Sequence, residues 1–547
     1  MIFLPGLTNF LTTEIFEIIS SKLILSSVAV LKSLGIIRFV QMFRSHLITA
    51  IFLSLILAIY FLFRLPNLTY QPIFADEAIY IRWAQVMKAE PTLRFLPLTD
   101  GKTPLFMWTM MPVFKIISDP LLAGRMLAVF TGLGTLAGVF VLGSLFFSKR
   151  VGLLAAFLMA ITPYIVFFDR LALVDTMLAA FTIWSILLAF MLVKYKRIDL
   201  AMVLGYSLGA GLITKTPGMF SVLMVPLAII TMDYDAKGRT RRVLKVFGLF
   251  AIAIATALGI YNVLRLGPGF SSLSARNSDY VRNPADLLVK PLDPFVPHLG
   301  DIIEWWPLLL GYPVIIALVL GIIYGVLKKN KYLIALSLIA LGPLLVQMAL
   351  LQTFTARYML FSIPPLLIVA AYGLDNLLLQ VKKYRPAVAL ILILILLIWP
   401  FNFTHKLITD IENAPLPKNE RRGYLEDWTA GYGLPEIAAF LENESKKGLI
   451  IVGTEGSFGT LPDGLQIYFD KNRNVVFKPG KTDLSNELRA EATKSATFYV
   501  TNESRFTKST KNVESIYRFP KALPKDEKNA QDAMLLFKVL PNTEGSR

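Results

Sequence analysis

The 547-residue chain has no cysteine. Neither disulfides nor thiolate metal ligands therefore contribute to its stability or chemistry, and an oxidising compartment is permitted without being required. Histidine is nearly absent too: His46, His298 and His405 are all there are, and a three-histidine zinc site would have to gather every one of them from distant positions. Acidic residues are sparse in the first part only. Residues 1–403 carry 34 Lys and Arg against 18 Asp and Glu, whereas residues 404–547 carry 21 against 20. The net charge of +17 thus belongs to the first part, in short loops, which speaks for membrane topology and against a nucleic-acid partner. No fixed-period repeat and no low-complexity tract is present.

Apolar sequence is abundant, with a mean hydropathy of +0.58. Stretches suited to crossing a ~30 Å hydrocarbon core recur at 47–63, 121–147, 151–168, 176–193, 198–213, 217–232, 243–264, 306–327, 332–351, 358–379 and 386–402, about eleven crossings of a polytopic, all-α membrane region. Alternate connections are basic: Lys149 and Arg150; Lys194, Lys196 and Arg197; Lys237 through Lys245; Lys328, Lys329 and Lys331; Lys382, Lys383 and Arg385. The excess of positive charge assigns these loops to the cytoplasmic side. The others, at 64–120, 169–175, 214–217, 265–305 and 352–357, then face outward, and parity carries everything after Phe403 outward as well.

Three regions follow. In 1–46, the segment 23–40 is apolar but interrupted by Lys32 and Arg38 and reads as an interfacial amphipathic helix. It lacks the small-residue cleavage pattern of a signal peptide, and Met42-Phe43-Arg44 before an apolar run suggests Met42 as the native start. Residues 47–403 form the membrane region. Residues 404–547 are too polar for a bilayer, and β-rich runs at 449–452, 474–477, 497–500 and 533–539 alternate with a helical stretch at 434–446, so a small extracytoplasmic α/β domain is expected. Turn signals fall at Pro462-Asp463-Gly464 and Pro479-Gly480.

The charged residues near membrane depth collect on the outward face: Asp76, Glu77, Lys102, Asp169, Arg170, Asp175, Lys215 and Arg357. Taken singly, each suits an interfacial anchor. Together they place both signs of charge at one face from several crossings, as a shared cavity requires. Cations hold an anionic group such as phosphate through charge-assisted hydrogen bonds, and a carboxylate accepts a proton from a hydroxyl. Elsewhere, Gly453-x-x-Gly456-x-x-Gly459 after a predicted strand is neither a dinucleotide fingerprint nor a P-loop and reads as a turn. Trp305 and Trp306 near Tyr312 suit an outer aromatic belt, with His298 in the same loop.

Ordered motifs give this pattern a family resemblance. The run Phe74-Ala75-Asp76-Glu77-Ala78-Ile79-Tyr80 resembles the acidic motif in the first outer loop of polyprenyl-phosphate-dependent glycosyltransferases with the GT-C fold. These include the dolichyl-phosphate-mannose protein mannosyltransferases and the aminoarabinose transferases of lipid A. Four further segments resemble that pattern in order: Gly101-Lys102-Thr103-Pro104-Leu105, Asp169-Arg170 with Asp175, Leu212-Ile213-Thr214-Lys215-Thr216-Pro217, and Ala356-Arg357-Tyr358-Met359 with Pro364-Pro365. Thr103 stands in place of the first proline of a pair and Thr216 where glycine is common. No arginine directly follows the acidic pair, a departure from the lipid A type.

The resemblance implies transfer of a sugar from a polyprenyl-phosphate donor to an acceptor hydroxyl on the outer face by inverting displacement. Asp76 is the implied base, with Glu77 and Asp175 as supporting carboxylates and Lys102, Lys215, Arg357 and Arg170 as donor-phosphate ligands. Acceptors in such a family are proteins, lipids or cell-envelope glycans. Carboxylates suit Mg²⁺ or Mn²⁺, which related oligosaccharyltransferases use and the mannosyltransferase-like branch need not, so no metal is assigned. Two rival functions share the charge pattern: a transporter or flippase of lipid-linked sugars, whose inverted repeats and broken midplane helices are not evident, and a glycan polymerase or ligase.

Overall fold

The computed structural model describes residues 36–234, 238–290, 292–480, 484–506, 512–526 and 530–541. The predicted interfacial helix at 23–40 lies outside the described residues except for its last five, and so does nearly all of the stretch before Met42. The chain divides after Ala58 into two compact units. In the first, the described residues form the opening of a long helix, Ile36–Arg64. The second, from Ile59 onward, holds every other element described below.

Among the described residues seven helical stretches are long and apolar enough to cross a membrane: His46–Arg64, Pro120–Phe146, Val174–Tyr195, Arg239–Leu266, Lys331–Leu350, Ala356–Val381 and Pro386–Thr409. Two bent pairs bring the number to as many as nine: Lys149–Ile161 with Pro163–Asp169, and Phe295–Leu309 with Tyr312–Leu327. The predicted crossings at 198–213 and 217–232 fall on the shorter apolar helices Ile198–Thr214 and Gly218–Thr231. The chain is a multi-pass membrane protein.

Both bends have local causes. Thr162 sits before Pro163 with φ −61° and ψ 124°, the extended conformation that a following proline imposes, and the helix turns there by 59°. Gly311 has φ +82°, open to glycine without penalty, and the chain turns by 113°. This second break corrects the expected 306–327 crossing. The apolar helix begins at Tyr312, and Trp305 belongs to the preceding helix with its side chain fully buried. There it stacks on Phe354 at 5.1 Å, with His298 on the same ring at 4.4 Å. Trp305 is thus a packing residue, not part of an aromatic belt.

Small residues let the helices approach. A Cβ placed on Gly373 would lie 2.1 Å from the Ala317 carbonyl, and one on Gly321 would lie 2.1 Å from the Val369 carbonyl. The two helices meet backbone to backbone, the packing that substitutes in a bilayer for a hydrophobic driving force.

The tail carries a five-stranded sheet built from β3 (Ile450–Glu455), β4 (Val475–Gly480), β5 (Ala496–Asn502), β6 (Val513–Pro520) and β7 (Ala533–Val539), in the order β4-β3-β5-β7-β6. The first three are mutually parallel, β7 runs antiparallel to β5, and β6 runs antiparallel to β7 at the edge. Helix Leu434–Ser445 precedes β3, so the α/β expectation holds. β6 was not expected: its residues are all exposed or half-buried, which erases the apolar signal of a strand. Glu455, Thr501, Asn502, Lys521 and Asp532 join in a buried network at one end of the sheet, each hydrogen-bonded to another of the group.

The boundary expected at 403/404 falls inside helix Pro386–Thr409, and the tail is continuous with the bundle in one compact unit. A two-stranded ladder of β1 (Ile73–Phe74) and β2 (Ala430–Gly431) ties the segment after the first membrane helix to the tail. The Ala75 N–H donates to the Thr429 carbonyl at 3.0 Å. Farther along, Gln85 Nε2 donates to the Ile467 carbonyl at 2.8 Å and Arg82 pairs with Asp470 at 3.3 Å. Both anchors hold helix Ala75–Ala89, which carries the acidic pair.

Candidate active site

Helix Ala75–Ala89 starts where the strand residue Phe74, with φ −88° and ψ 149°, hands over to helical backbone. Glu77 at the third helical position accepts the Phe74 N–H at 3.0 Å, which satisfies one orphan donor of the first turn. Adjacent positions on a helix point in different directions. Asp76 and Glu77 therefore leave the same turn toward different surroundings.

Glu77 is fully buried and meets Arg125, which is also fully buried, through two hydrogen bonds of 2.9 and 2.8 Å. It also accepts the Ala172 N–H at 2.7 Å. Arg125 spends its remaining donors on the carbonyls of Leu68, Gln71 and Pro72. This is a closed structural clamp across residues 68–77, and the assignment of Glu77 to catalysis gives way to it.

Asp76 stays partly exposed and meets two cations. Its Oδ1 lies 3.2 Å from Lys102 Nζ and its Oδ2 lies 2.5 Å from Arg357 Nη1. Asp100 adds a second carboxylate 3.4 Å from Lys102. Burial alone would raise the Asp76 carboxyl, but the charges of Lys102 and Arg357 outweigh it and hold the group well below the usual carboxylate range. The side chains of Asp76, Lys102 and Arg357 keep 18, 21 and 15% of their surface exposed, so a ligand has access to all three.

A second pair completes the site. Lys215 caps the end of helix Ile198–Thr214 and reaches Asp175, in the first turn of Val174–Tyr195, at 2.5 Å. Burial pushes the Lys215 ammonium down and Asp175 pulls it back up; Arg357 and Asp76 are near enough to act on it with opposite signs. Aromatic rings line the cations: Tyr80 and Trp83 at 5.2 and 5.5 Å from Lys102, Tyr358 at 4.6 Å from Lys215 and 5.3 Å from Arg357, and Phe74 at 5.4 Å from Arg357. At such distances a ring face attracts a cation while leaving its hydrogen-bond donors free for an anion.

Five of the seven sequence-derived candidates therefore meet: Asp76, Lys102, Asp175, Lys215 and Arg357. Arg170 does not join them. It is buried, and its guanidinium donates to the carbonyls of Arg64, Pro66 and Asn67, so it holds the chain where the first membrane helix ends and is corrected from phosphate ligand to backbone clamp. Asp169 likewise is buried against Arg64 at 2.8 Å and Tyr60 at 3.3 Å.

The tail contributes residues that the sequence did not mark. Glu420 is 3% exposed and accepts the Ala356 N–H at 2.7 Å, one residue before Arg357. Burial pushes its carboxyl up to about 7, against the pull of the Ala356 amide and Arg357. Tyr424 lays its ring 4.4 Å from Phe74 and 5.1 Å from Phe167. Glu420 sits in Lys418-Asn419-Glu420-Arg421-Arg422, a charge run that reads as a solvated face.

The carboxylates here do not suit a metal. Asp76 and Asp175 already face ammonium or guanidinium groups that would repel a divalent cation. Among the described residues no group of three or more His, Asp or Glu side chains is arranged to hold one.

Residues 101–261 match a family model described as dolichyl-phosphate-mannose-protein mannosyltransferase. No curated protein matches the chain. Among solved structures, ArnT from Cupriavidus metallidurans in the apo state aligns with a TM-score of 0.53 at 14% identity, over 92% of this chain and 100% of that one. ArnT bound to undecaprenyl phosphate gives 0.52 at 13%, over 91 and 99%. The archaeal oligosaccharyltransferase AglB from Archaeoglobus fulgidus, in complex with an inhibitory peptide and a dolichol-phosphate, gives 0.49 at 12%, over 83 and 69%. The ArnT likeness extends over nearly the whole of both chains, and the fold is GT-C, with an α/β domain at its C-terminus.

Proposed function

We propose that the protein is a membrane glycosyltransferase that moves a sugar from a polyprenyl-phosphate donor to an acceptor hydroxyl at the outer face of the membrane, with inversion at the anomeric carbon. The observation that carries this reading is Asp76 bridging Lys102 and Arg357, all three side chains partly exposed, with Asp175 and Lys215 beside them. The ArnT structure bound to undecaprenyl phosphate supports the donor class by its shared fold, and the family-model match over 101–261 supports the reaction class.

Asp76 occupies the anion position between two cations. A donor phosphate competes for the same donors, and as it takes them Asp76 is released. Its carboxyl then loses the charges that depress it, and burial makes it a better proton acceptor. The acceptor oxygen forms a bond to the anomeric carbon as the bond from that carbon to the phosphate oxygen breaks; the hydroxyl proton passes to Asp76 and the polyprenyl phosphate leaves. Negative charge grows on the leaving phosphate, so Lys102 and Arg357 bind the transition state more tightly than the ground state. Lys215, fixed by Asp175, adds a third positive charge at the same place.

Purified protein with Asp76→Asn tests this reading. Transfer is lost while undecaprenyl phosphate still binds; unchanged transfer removes Asp76 from the reaction.

A further inference from the structure

The tail reaches the site through one peptide group. Ala356 is fully buried, and both of its backbone polar atoms are held by side chains from elsewhere. Its N–H donates to Glu420 Oε1 at 2.7 Å, and its carbonyl accepts from Tyr164 Oη at 2.5 Å. The next residue is Arg357, and Tyr358 follows, at the head of the tight turn Ala356–Ser362 that leads into the membrane helix. A guanidinium on a flexible stem finds Asp76 repeatedly only when the backbone beneath it is fixed, so the peptide clamp sets where Arg357 points.

Glu420 is itself firmly placed. The Lys418 N–H donates to Glu304 at 2.8 Å, anchoring the start of the short helix Lys418–Arg421 on helix Phe295–Leu309. At the other end Arg421 pairs with Glu426 at 2.6 Å and donates to the carbonyls of Glu412 and Leu523. Tyr424 packs on the ladder residue Phe74, two positions before Asp76. The tail thus holds both sides of the Asp76–Arg357 pair. The β1–β2 ladder fixes the start of the Asp76 helix, and Glu420 fixes the turn of Arg357.

We propose that Glu420 is a positioning residue of the site: its carboxyl oxygen holds the Ala356 peptide so that Arg357 meets the donor phosphate and Tyr358 flanks Lys215, which makes the α/β domain a working part of the transferase. The inference rests on the function proposed above. A carbonyl oxygen accepts the Ala356 N–H whether or not it carries charge, so an amide serves as well as a carboxylate.

The experiment compares full-length Glu420→Gln and Glu420→Ala with the parent in detergent. Two quantities are read: hydrogen exchange of the amides at 354–362, and equilibrium binding of undecaprenyl monophosphate. Glu420→Ala is expected to speed exchange in that segment and to weaken phosphate binding about tenfold, and Glu420→Gln to restore both to within about twofold. Unchanged exchange in Glu420→Ala overturns the proposal. So does faster exchange with unchanged phosphate affinity, and so does a glutamine variant as defective as alanine, which would mean that the charge itself acts. If alanine does not fold, the glutamine variant alone decides, since a defect there contradicts a positioning role. Failure of the parent to bind the phosphate counts against the donor assignment, while the exchange measurement still decides the clamp.

Discussion

Arg357 Nη1 lies 2.5 Å from Asp76 Oδ2, although 281 positions separate the two residues. The pair joins helix Ala75–Ala89 to the turn Ala356–Ser362, and Lys102 occupies the other carboxylate oxygen. One anion between two partly exposed cations is an arrangement that a second anion can enter. In this account Asp76 holds the phosphate site open before the donor arrives and takes the proton after it does.

Asp76→Asn is therefore expected to separate binding from chemistry. Transfer falls by about 10²–10⁴, the range that a positioned base supplies. Affinity for undecaprenyl phosphate rises several-fold, because the competing carboxylate is gone while both cations remain. Direct binding measurements on parent and variant check this, and weaker binding in the variant would contradict the competition.

Lys102→Ala and Arg170→Ala are expected to diverge. Loss of one charge-assisted hydrogen bond costs about 1.5–3 kcal/mol, so Lys102→Ala weakens undecaprenyl phosphate binding by roughly 10- to 100-fold. Arg170 donates to the backbone carbonyls of Arg64, Pro66 and Asn67, so Arg170→Ala lowers the melting temperature and leaves the phosphate affinity of the folded fraction within about twofold. Binding isotherms alongside thermal unfolding separate the two.

The buried Glu77–Arg125 pair predicts a stability effect. Removing either partner strands a buried charge, at a cost of about 3–5 kcal/mol. Glu77→Gln and Arg125→Met should each unfold far earlier than the parent, and the double variant should be less damaged than the two losses summed. Strict additivity in a double-mutant cycle would show that the two residues do not act as a pair.

Glu420 gives a pH prediction. Its folded carboxyl stands at about 7 against an ordinary value of 4.5, so between those values the folded protein holds more protons than the unfolded chain. The stability linked to this group is complete below pH 4.5 and is lost as pH rises through 7. The melting temperature of Glu420→Gln relative to the parent should therefore climb across that interval. A constant difference would place the titration elsewhere.

Much of this was legible in the sequence, for identifiable reasons. Length and apolarity marked the long membrane helices but not the helices Ala75–Ala89 and Ser272–Tyr280 within the connections, and charge parity grouped the loops, which brought Asp76, Lys102, Asp175, Lys215 and Arg357 onto one list before any contact was known. The same reasoning admitted Glu77 and Arg170, because nothing in a residue's type says which way it leaves a helix turn. Adjacent Asp76 and Glu77 part company through helical geometry alone. Trp305 read as a belt residue because the break at Gly311 was hidden in a continuous apolar run. Glu420 was out of reach, since its one decisive partner is a backbone amide 64 positions earlier.

The central claim is sugar transfer from a lipid-linked donor with Asp76 as the base. Its most direct test is mass spectrometry of polyprenyl-phosphate sugars and of protein, lipid and envelope glycoconjugates in cells whose only copy carries Asp76→Asn, beside the parent. The account predicts that one polyprenyl-phosphate sugar accumulates and one glycoconjugate loses that same sugar. Identical donor and product profiles in the two strains, with the variant protein present in the membrane at parental levels, would contradict it.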